Sequence, residues 1–459
     1  MVVAAPAAEH IWTRRLWHAT AQIERRHSRP PSRSPPAAPS SIMGHALSLC
    51  AGPASLASVV PTPTSALAGA AAAAALNGAS TSASAESSSV LAALPLTQPA
   101  TAFYELGRAL GRGSFGTCVQ ARDLRTGEEV AIKTLDLSRV RASSVAREHA
   151  VLSHIAAAAQ LLHAAESPAG AAPPPPLAFI VPGLVSFRGA LRTEAPRAEV
   201  SFVFELMRGG ELFALLIRRG ALPEPLVRRS LRPVAEALAF LHASGVVHRD
   251  IKPENLLLSE AVPDSTPLHE VRDLKLKISD MGLAQLLDAR GGTRLLKTCG
   301  TWAYSAPEMH APARPGYAFA FDCWSLGVVI YIALSGAHPF DPTGTLEAAE
   351  IKARIQRGDF SFAAPVWARV SPLAIDMVRR LLRVEQESRL SAAACLRHGW
   401  WTSSHAAALR APSSSSSPTA AAAPTGAPAL SPGRGKLKAA AAATIAVSRF
   451  AASASRPTR

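Results

Sequence analysis

His248-Arg249-Asp250-Ile251-Lys252-Pro253-Glu254-Asn255 sets a carboxylate, an ammonium group and a carboxamide within six positions. Asp250 can orient a hydroxyl and accept its proton, Lys252 can neutralise a transferring phosphoryl group, and Asn255 can hold a metal ion. A charged surface loop has no need of these eight residues in this order. Downstream, Leu276-Lys277-Ile278-Ser279-Asp280-Met281-Gly282 supplies a second carboxylate at the end of a strand, suited to Mg²⁺ bridging phosphate oxygens. Ala306-Pro307-Glu308 follows.

Upstream lies Gly111-Arg112-Gly113-Ser114-Phe115-Gly116-Thr117-Cys118-Val119. Small residues let backbone N–H groups approach phosphate oxygens closely. A plain β-turn or a dinucleotide loop has the same glycine spacing, but the dinucleotide loop runs into a helix, and the residues after Gly116 are β-type. Val130-Ala131-Ile132-Lys133 comes next. A lysine closing an apolar strand either reaches a buried anion or ends in solvent.

Working outward, bulky apolar residues begin at Phe103-Tyr104-Glu105-Leu106 and continue to about Trp401. Such a span exceeds what one core holds, so two lobes are expected over residues 103–401. The first is β-rich, with strands at Val119–Arg122 and Val130–Lys133 about a turn at Thr126-Gly127, a helix over Ser143–Ile155 and a strand at Val200–Leu206. After Gly209-Gly210 the chain turns helical, with long helices predicted at Leu226–Ser244 and Asp322–Ser335. Ala156–Leu177, with four consecutive prolines from Pro173, reads as an inserted loop, and Ser259–Arg272 as a long turn. Residues 1–102 form an Ala/Ser/Pro-rich leader and 402–459 a low-complexity basic tail, both of disordered composition.

The 459 residues carry 48 Lys plus Arg against 33 Asp plus Glu, a formal +15. Residues 101–405 contribute only +5 of this, and residues 406–459 contribute +7 without a single acid. The positive charge therefore lies mostly on the flanks, which weakens a nucleic-acid-binding reading. Five scattered cysteines without a C-x-x-C pair exclude a disulfide scaffold and a structural zinc site, and fit a reducing compartment. No apolar run of membrane-spanning length occurs, and no secretory signal is supported. The expectation is a soluble, cytoplasmic protein, with the nucleus or a membrane as alternatives.

Taken in order, these segments resemble the protein kinase family across about residues 104–401. The resemblance implies an α+β, two-lobed protein kinase fold, with a small β-rich lobe carrying one main helix and a larger helical lobe. It implies ATP and Mg²⁺ as cofactors. Lys133 would meet the α/β-phosphates and pair with Glu148. Asp250 would be the catalytic base, assisted by Lys252, and Asn255 and Asp280 would hold Mg²⁺. ATP would lie under Leu110, Gly111, Arg112, Gly113, Ser114, Phe115 and Gly116. Val119, Ala131 and Leu257 would sandwich its adenine, Phe204 would be the gatekeeper, and Glu205 and Met207 the hinge. Asp322 would anchor the catalytic loop, and Glu308 would pair with Arg389.

Lys252 and Thr301 resemble the serine/threonine branch. Gly209-Gly210-Glu211-Leu212-Phe213 and the closing Leu396-x-His398-Gly399-Trp400 resemble the calcium/calmodulin-dependent group. In that group carboxylates like Glu211 and Glu254 read an arginine upstream of the target Ser or Thr. This chain departs from the family pattern in having Met281 for a phenylalanine and Trp302 for a proline. Thr298, the regulatory candidate, stands one residue later than usual. Arg249 before Asp250 implies control by activation-loop phosphate.

The flanks add regulatory expectations. Residues 434–451 are basic and helix-prone, with Leu437 and Phe450 close to one face, and resemble an autoinhibitory helix that binds calmodulin. Met43-Gly44-His45-Ala46-Leu47-Ser48-Leu49-Cys50 fits N-acylation and a membrane contact, provided translation starts at Met43. Ile11–Arg29 could instead be an organelle presequence. Protein substrates with Ser/Thr targets are the expected partners, with no nucleic acid. The competing class is a catalytically inactive kinase-fold scaffold, against which Lys133, Asp250, Asn255 and Asp280 stand together.

Overall fold

Five antiparallel strands build the first lobe: β1 (Tyr104–Arg112), β2 (Gly116–Asp123), β3 (Glu129–Asp136), β4 (Phe187–Thr193) and β5 (Glu199–Glu205), in the order β1-β2-β3-β5-β4. The computed structural model describes residues 98–112, 116–164, 181–194, 197–287, 302–310 and 318–402. The 434–451 segment, the Met43 motif, Ile11–Arg29 and Thr298 lie outside those residues.

The sheet has two working faces, because successive strand residues point to opposite sides. On the outer face Ala121, Val130, Ile132 and Val203 form a small core, with Val119, Tyr104 and Ala100 packed against it. The other face receives α1 (Ala142–Ala164), whose Val145, Ala146, Val151, Leu152 and Ile155 enter the main core with Phe202. Glycine at 116 is required where β2 meets β3, since a Cβ there would lie 2.1 Å from the Thr134 carbonyl oxygen.

Helix α1 differs from the sequence expectation. It extends past Ile155 to Ala164, so the stretch from Ala156 onward begins as helix and not as an inserted loop. Four consecutive alanines at 156–159, the best helix formers, explain the continuation. The proline run lies outside the described residues.

The second lobe is a helical core. β6 (Gly210–Glu211), α2 (Leu212–Arg219) and α3 (Glu224–Ala243) come first, followed by the short strands β7 (Val246–Val247), β8 (Leu256–Leu258), β9 (Leu276–Ile278) and β10 (Gln285–Leu286), with β6-β8-β9 forming one sheet and β10-β7 another. Helix α4 (Ala320–Ser335) is buried from Phe321 to Leu334, as its nearly continuous apolar sequence demands. α5 (Ala348–Arg357), α6 (Pro372–Leu381), α7 (Ala392–Leu396) and α8 (Gly399–Thr402) close the lobe. Ser371 and Ser391 cap α6 and α7, each accepting the N–H three residues on. The buried Glu224 carboxylate joins the two ends of this lobe, accepting from Ser371 N at 2.7 Å and Trp400 Nε1 at 2.9 Å. No helix among the described residues is long and apolar enough to cross a membrane.

Candidate active site

The start of the segment 248–255 is held by a buried carboxylate. Asp322, in the first turn of α4, is fully buried, and accepts the His248 N–H at 2.9 Å and the Arg249 N–H at 2.8 Å. His242 Nε2 stands 2.9 Å from the same group. Burial pushes the Asp322 pKa up, but His242 and the backbone donors outweigh it and hold it below the usual carboxylate value. Arg249 is held at φ 68°, a left-handed conformation that a side chain adopts at a cost of about 1–3 kcal/mol. Its Nε donates to the Leu283 carbonyl at 2.7 Å, tying this segment to the one that follows Asp280.

That turn presents the chemistry. Lys252 Nζ lies 2.7 Å from Asp250 Oδ2. Asn255 Nδ2 donates to the same oxygen at 2.9 Å and to the Asp250 carbonyl at 2.8 Å. Those two bonds orient the Asn255 amide, leaving its Oδ1 as the acceptor end. The Asn255 carbonyl in turn receives the Ser279 N–H at 2.9 Å, which places Asp280 beside the catalytic segment.

Asp280 is also left-handed, at φ 62°, which returns its carboxylate toward the sheet lobe. Lys133 Nζ lies 2.9 Å from Asp280 Oδ1 and 2.7 Å from Glu148 Oε1. Burial pulls the Lys133 pKa down, but the two carboxylates outweigh it and keep the amine protonated. Burial likewise pushes Asp280 up, and Lys133 with the Gly282 N–H brings it net below its usual value. Burial dominates at Glu148, which is raised. A Cβ on Gly282 would sit 3.1 Å from Asp280 Oδ1, so a glycine there leaves this carboxylate its room. Met281 is buried in the main core, filling the slot where the resemblance had led one to expect a phenylalanine.

The roof of the cleft follows from strand register. Directly opposed residues of an antiparallel pair share a face. Lys133 opposes Cys118, and Ala131 opposes Gln120 on one side and Phe204 on the other. Cys118 and Ala131 therefore face the cleft with Lys133. Val119 opposes Ile132 and packs on the outer core, which corrects the expectation that Val119 covers the adenine: Val119 faces away from the cleft, and its neighbour Cys118 faces into it. The spacing of the kinase glycine loop, G-x-G-x-x-G-x-V, carries the same signal: Cys118, two residues after Gly116, stands at its valine position. Burial raises the Cys118 thiol pKa, with Lys133 opposing.

Glu205 ends β5, and Met207 follows in the connection to β6. The Glu205 carboxylate is engaged by Lys277. Leu257 is half-buried and directly opposes Glu211, while its neighbours Leu256 and Leu258 are fully buried, which leaves Leu257 on the cleft floor. Gly111, Arg112 and Leu110 lie at the end of β1, with Leu110 exposed. Gly113, Ser114 and Phe115 lie outside the described residues.

Two acids flank the catalytic turn. Burial raises Glu211, with Lys252 opposing. Burial also pushes Glu254 up to about 7, partly offset by a backbone hydrogen bond and Lys252. Its Oε2 is buried with no hydrogen-bond partner among the described residues. At the far end, both terminal nitrogens of the Arg389 guanidinium meet the buried Glu308 carboxylate, with Nη2 to Oε2 at 2.9 Å, as expected for that pair.

A sheet lobe and a helical lobe closing on Lys133, Asp250, Asn255 and Asp280 define the two-lobed kinase architecture. The protein kinase domain family model matches residues 104–401, so the chain belongs to the protein kinase family. It is 33% identical over 68% of its length to CBL-interacting serine/threonine-protein kinase 7 of Arabidopsis thaliana, covering 63% of that protein. It is 31% identical over 65% of its length both to the probable serine/threonine-protein kinase fhkC of Dictyostelium discoideum and to serine/threonine-protein kinase DCLK3 of Mus musculus, covering 44% and 32% of them. The chain thus spans less than two thirds of each of these relatives.

Proposed function

We propose that this chain is a serine/threonine protein kinase that moves the γ-phosphoryl group of ATP to a Ser or Thr hydroxyl of a protein. The observation that carries the reading is the assembly of Lys133, Asp250, Lys252, Asn255 and Asp280 around one cleft, each of them held by a hydrogen bond or ion pair to another residue of the site. In the transfer, the bond from the substrate oxygen to the γ-phosphorus forms while the bond to the β,γ-bridging oxygen breaks, and ADP leaves. Asp250 takes the hydroxyl proton. Lys252, already at Asp250, offsets charge on the moving phosphoryl, and Lys133 meets the remaining phosphates. The hard oxygen donors of Asp280 and Asn255 would hold Mg²⁺, which when bound would supply positive charge to offset that of the phosphates. Cys118, Ala131 and Leu257 would enclose the adenine, with backbone groups of Glu205 and Met207 beside it.

Specificity for an arginine upstream of the target is supported by Glu254 and Glu211, two acids beside the catalytic turn, one of them with a buried oxygen unpartnered among the described residues. A guanidinium would satisfy that oxygen with a charge-assisted hydrogen bond. Resemblance to the calcium/calmodulin-dependent group is supported by the Gly209–Phe213 and Leu396–Trp400 segments, and calmodulin binding by the basic composition of residues 434–451. Cytoplasmic residence rests on the cysteine usage alone.

The deciding experiment is transfer from labelled ATP·Mg²⁺ to an Arg-x-x-Ser peptide and to its Ala-x-x-Ser counterpart, with the full chain beside Asp250→Ala. Transfer that disappears in the variant and favours the arginine peptide supports the reading, and a rise on adding Ca²⁺/calmodulin assigns the tail. Nucleotide binding without transfer to any peptide would point to the scaffold.

A further inference from the structure

Three segments meet at one carboxylate beside the cleft floor. Both oxygens of Glu205 lie 2.7 Å from Lys277 Nζ. Glu205 Oε1 also accepts the Ser186 N–H at 2.7 Å. Glu205 ends β5, two residues before Met207. Lys277 is the middle residue of β9, three residues before Asp280. Ser186 belongs to the link between α1 and β4, and that link is itself laid along β9: Ile278 N–H donates to the Gly183 carbonyl at 2.8 Å, and Val185 N–H donates to the Ile278 carbonyl at 2.9 Å. Lys277 directly opposes Leu257, the residue on the cleft floor.

The two charged side chains are mostly enclosed, at 15% and 19% exposure. Enclosing an ion pair is a poor route to stability, because desolvation offsets the attraction, and such pairs are better suited to fixing one arrangement over others. Here the arrangement fixed is the distance between the two ends of the nucleotide site. Adenine would sit against the backbone at Glu205 and Met207, and the phosphates against Asp280, so a single ligand must span both.

We propose that Glu205 and Lys277 are a positioning pair, which locks the adenine-facing segment to the strand that carries Asp280 and thereby presets the site to the length of ATP. The inference rests on the ATP reading above. The pair acts through the backbone that each residue anchors. Losing the pair leaves each end of the site intact but lets their spacing vary, so binding of a ligand that needs both ends weakens while the chemistry at Asp250 is spared.

The test compares Lys277→Met, Glu205→Gln and the double variant with the wild-type chain. Melting temperature is measured with and without ATP·Mg²⁺ and with adenosine alone, and KM for ATP, KM for the peptide and kcat are measured beside it. The wild-type protein must show an ATP-induced rise in melting temperature; if it does not, the ATP reading itself fails. Given that rise, each single variant is expected to raise KM for ATP about 3–10-fold, the double variant no more than the worse single one. For Lys277→Met, stabilisation by adenosine, kcat and KM for the peptide should change little. Glu205→Gln retains an acceptor for Ser186 N–H and so remains informative if Lys277→Met folds poorly. An unchanged KM for ATP with only a lower melting temperature would make the pair merely structural. Additive losses would show that the two residues do not act together. A lower KM for ATP would make the pair a restraint on closure. Each of these overturns the proposal.

Discussion

The catalytic segment 248–255 hangs from a buried polar node, whereas the roof of the cleft in β2 and β3 is placed by strand register. On the helical side, one carboxylate, Asp322, takes two backbone N–H groups and faces His242, so Arg249 is kept in a left-handed conformation next to Asp250. On the sheet side, Cys118 and Ala131 face the cleft because Val119 and Ile132 occupy the outer core. The first arrangement concentrates its energy in one group. The second spreads it over small apolar contacts. Side chains on the two walls should therefore respond differently to substitution.

The largest effect is expected at the node. Asp322→Asn removes the charge that three groups share in a dry interior, and unfolding free energy should fall by about 3–5 kcal/mol, read by denaturant titration. A loss below about 1 kcal/mol would mean that the segment is held by something other than Asp322.

The sheet face comes next, and a pair of substitutions two faces apart sharpens it. Cys118→Phe puts a ring under the roof and should raise KM for ATP by tenfold or more (on the order of the 1–3 kcal/mol that overpacking costs). Val119→Ala should leave KM for ATP near wild type and lower stability by about 0.5–1.5 kcal/mol, the cost of trimming a partly buried branched side chain. The reverse pattern, with Val119 controlling nucleotide affinity, would restore the expectation drawn from the sequence.

The smallest effect is a pH dependence at the entrance. Burial raises Glu254 to about 7, so it is largely neutral at pH 6 and largely ionised at pH 8. An arginine-bearing peptide should therefore bind better as pH rises, with its KM falling a few-fold between pH 6 and 8. Glu254→Gln should flatten that profile and leave the Ala-x-x-Ser peptide unaffected. A slope that persists in the variant would place the titrating group elsewhere.

Much of the site could be read from local order because its parts are short segments. Asp250, Lys252 and Asn255 sit on one turn, and their hydrogen bonds span two to five residues. Lys133 and Asp280, by contrast, are 147 residues apart, and Glu205 and Lys277 are 72 apart. For Lys133 and Asp280 a known pattern supplied the connection. For Lys277 none did, since a lysine between two buried residues of a short strand carries no local mark of its partner.

The amino-acid order by itself determined the two-lobed division, the buried helix α4, the glycine-lined entry to β2 and the identity of the reacting groups. Each of these is written within a few residues, where periodicity, steric freedom and side-chain chemistry act directly. The tertiary structure decided which face each strand residue takes, how far α1 runs past Ile155, and which buried charges share a partner. Strand register inverts a side chain's direction with a one-residue shift, and a buried carboxylate keeps its ionised form only where folding brings distant donors to it. Cys118, and not Val119, lines the cleft for the first reason, and Asp322 can anchor the catalytic segment for the second.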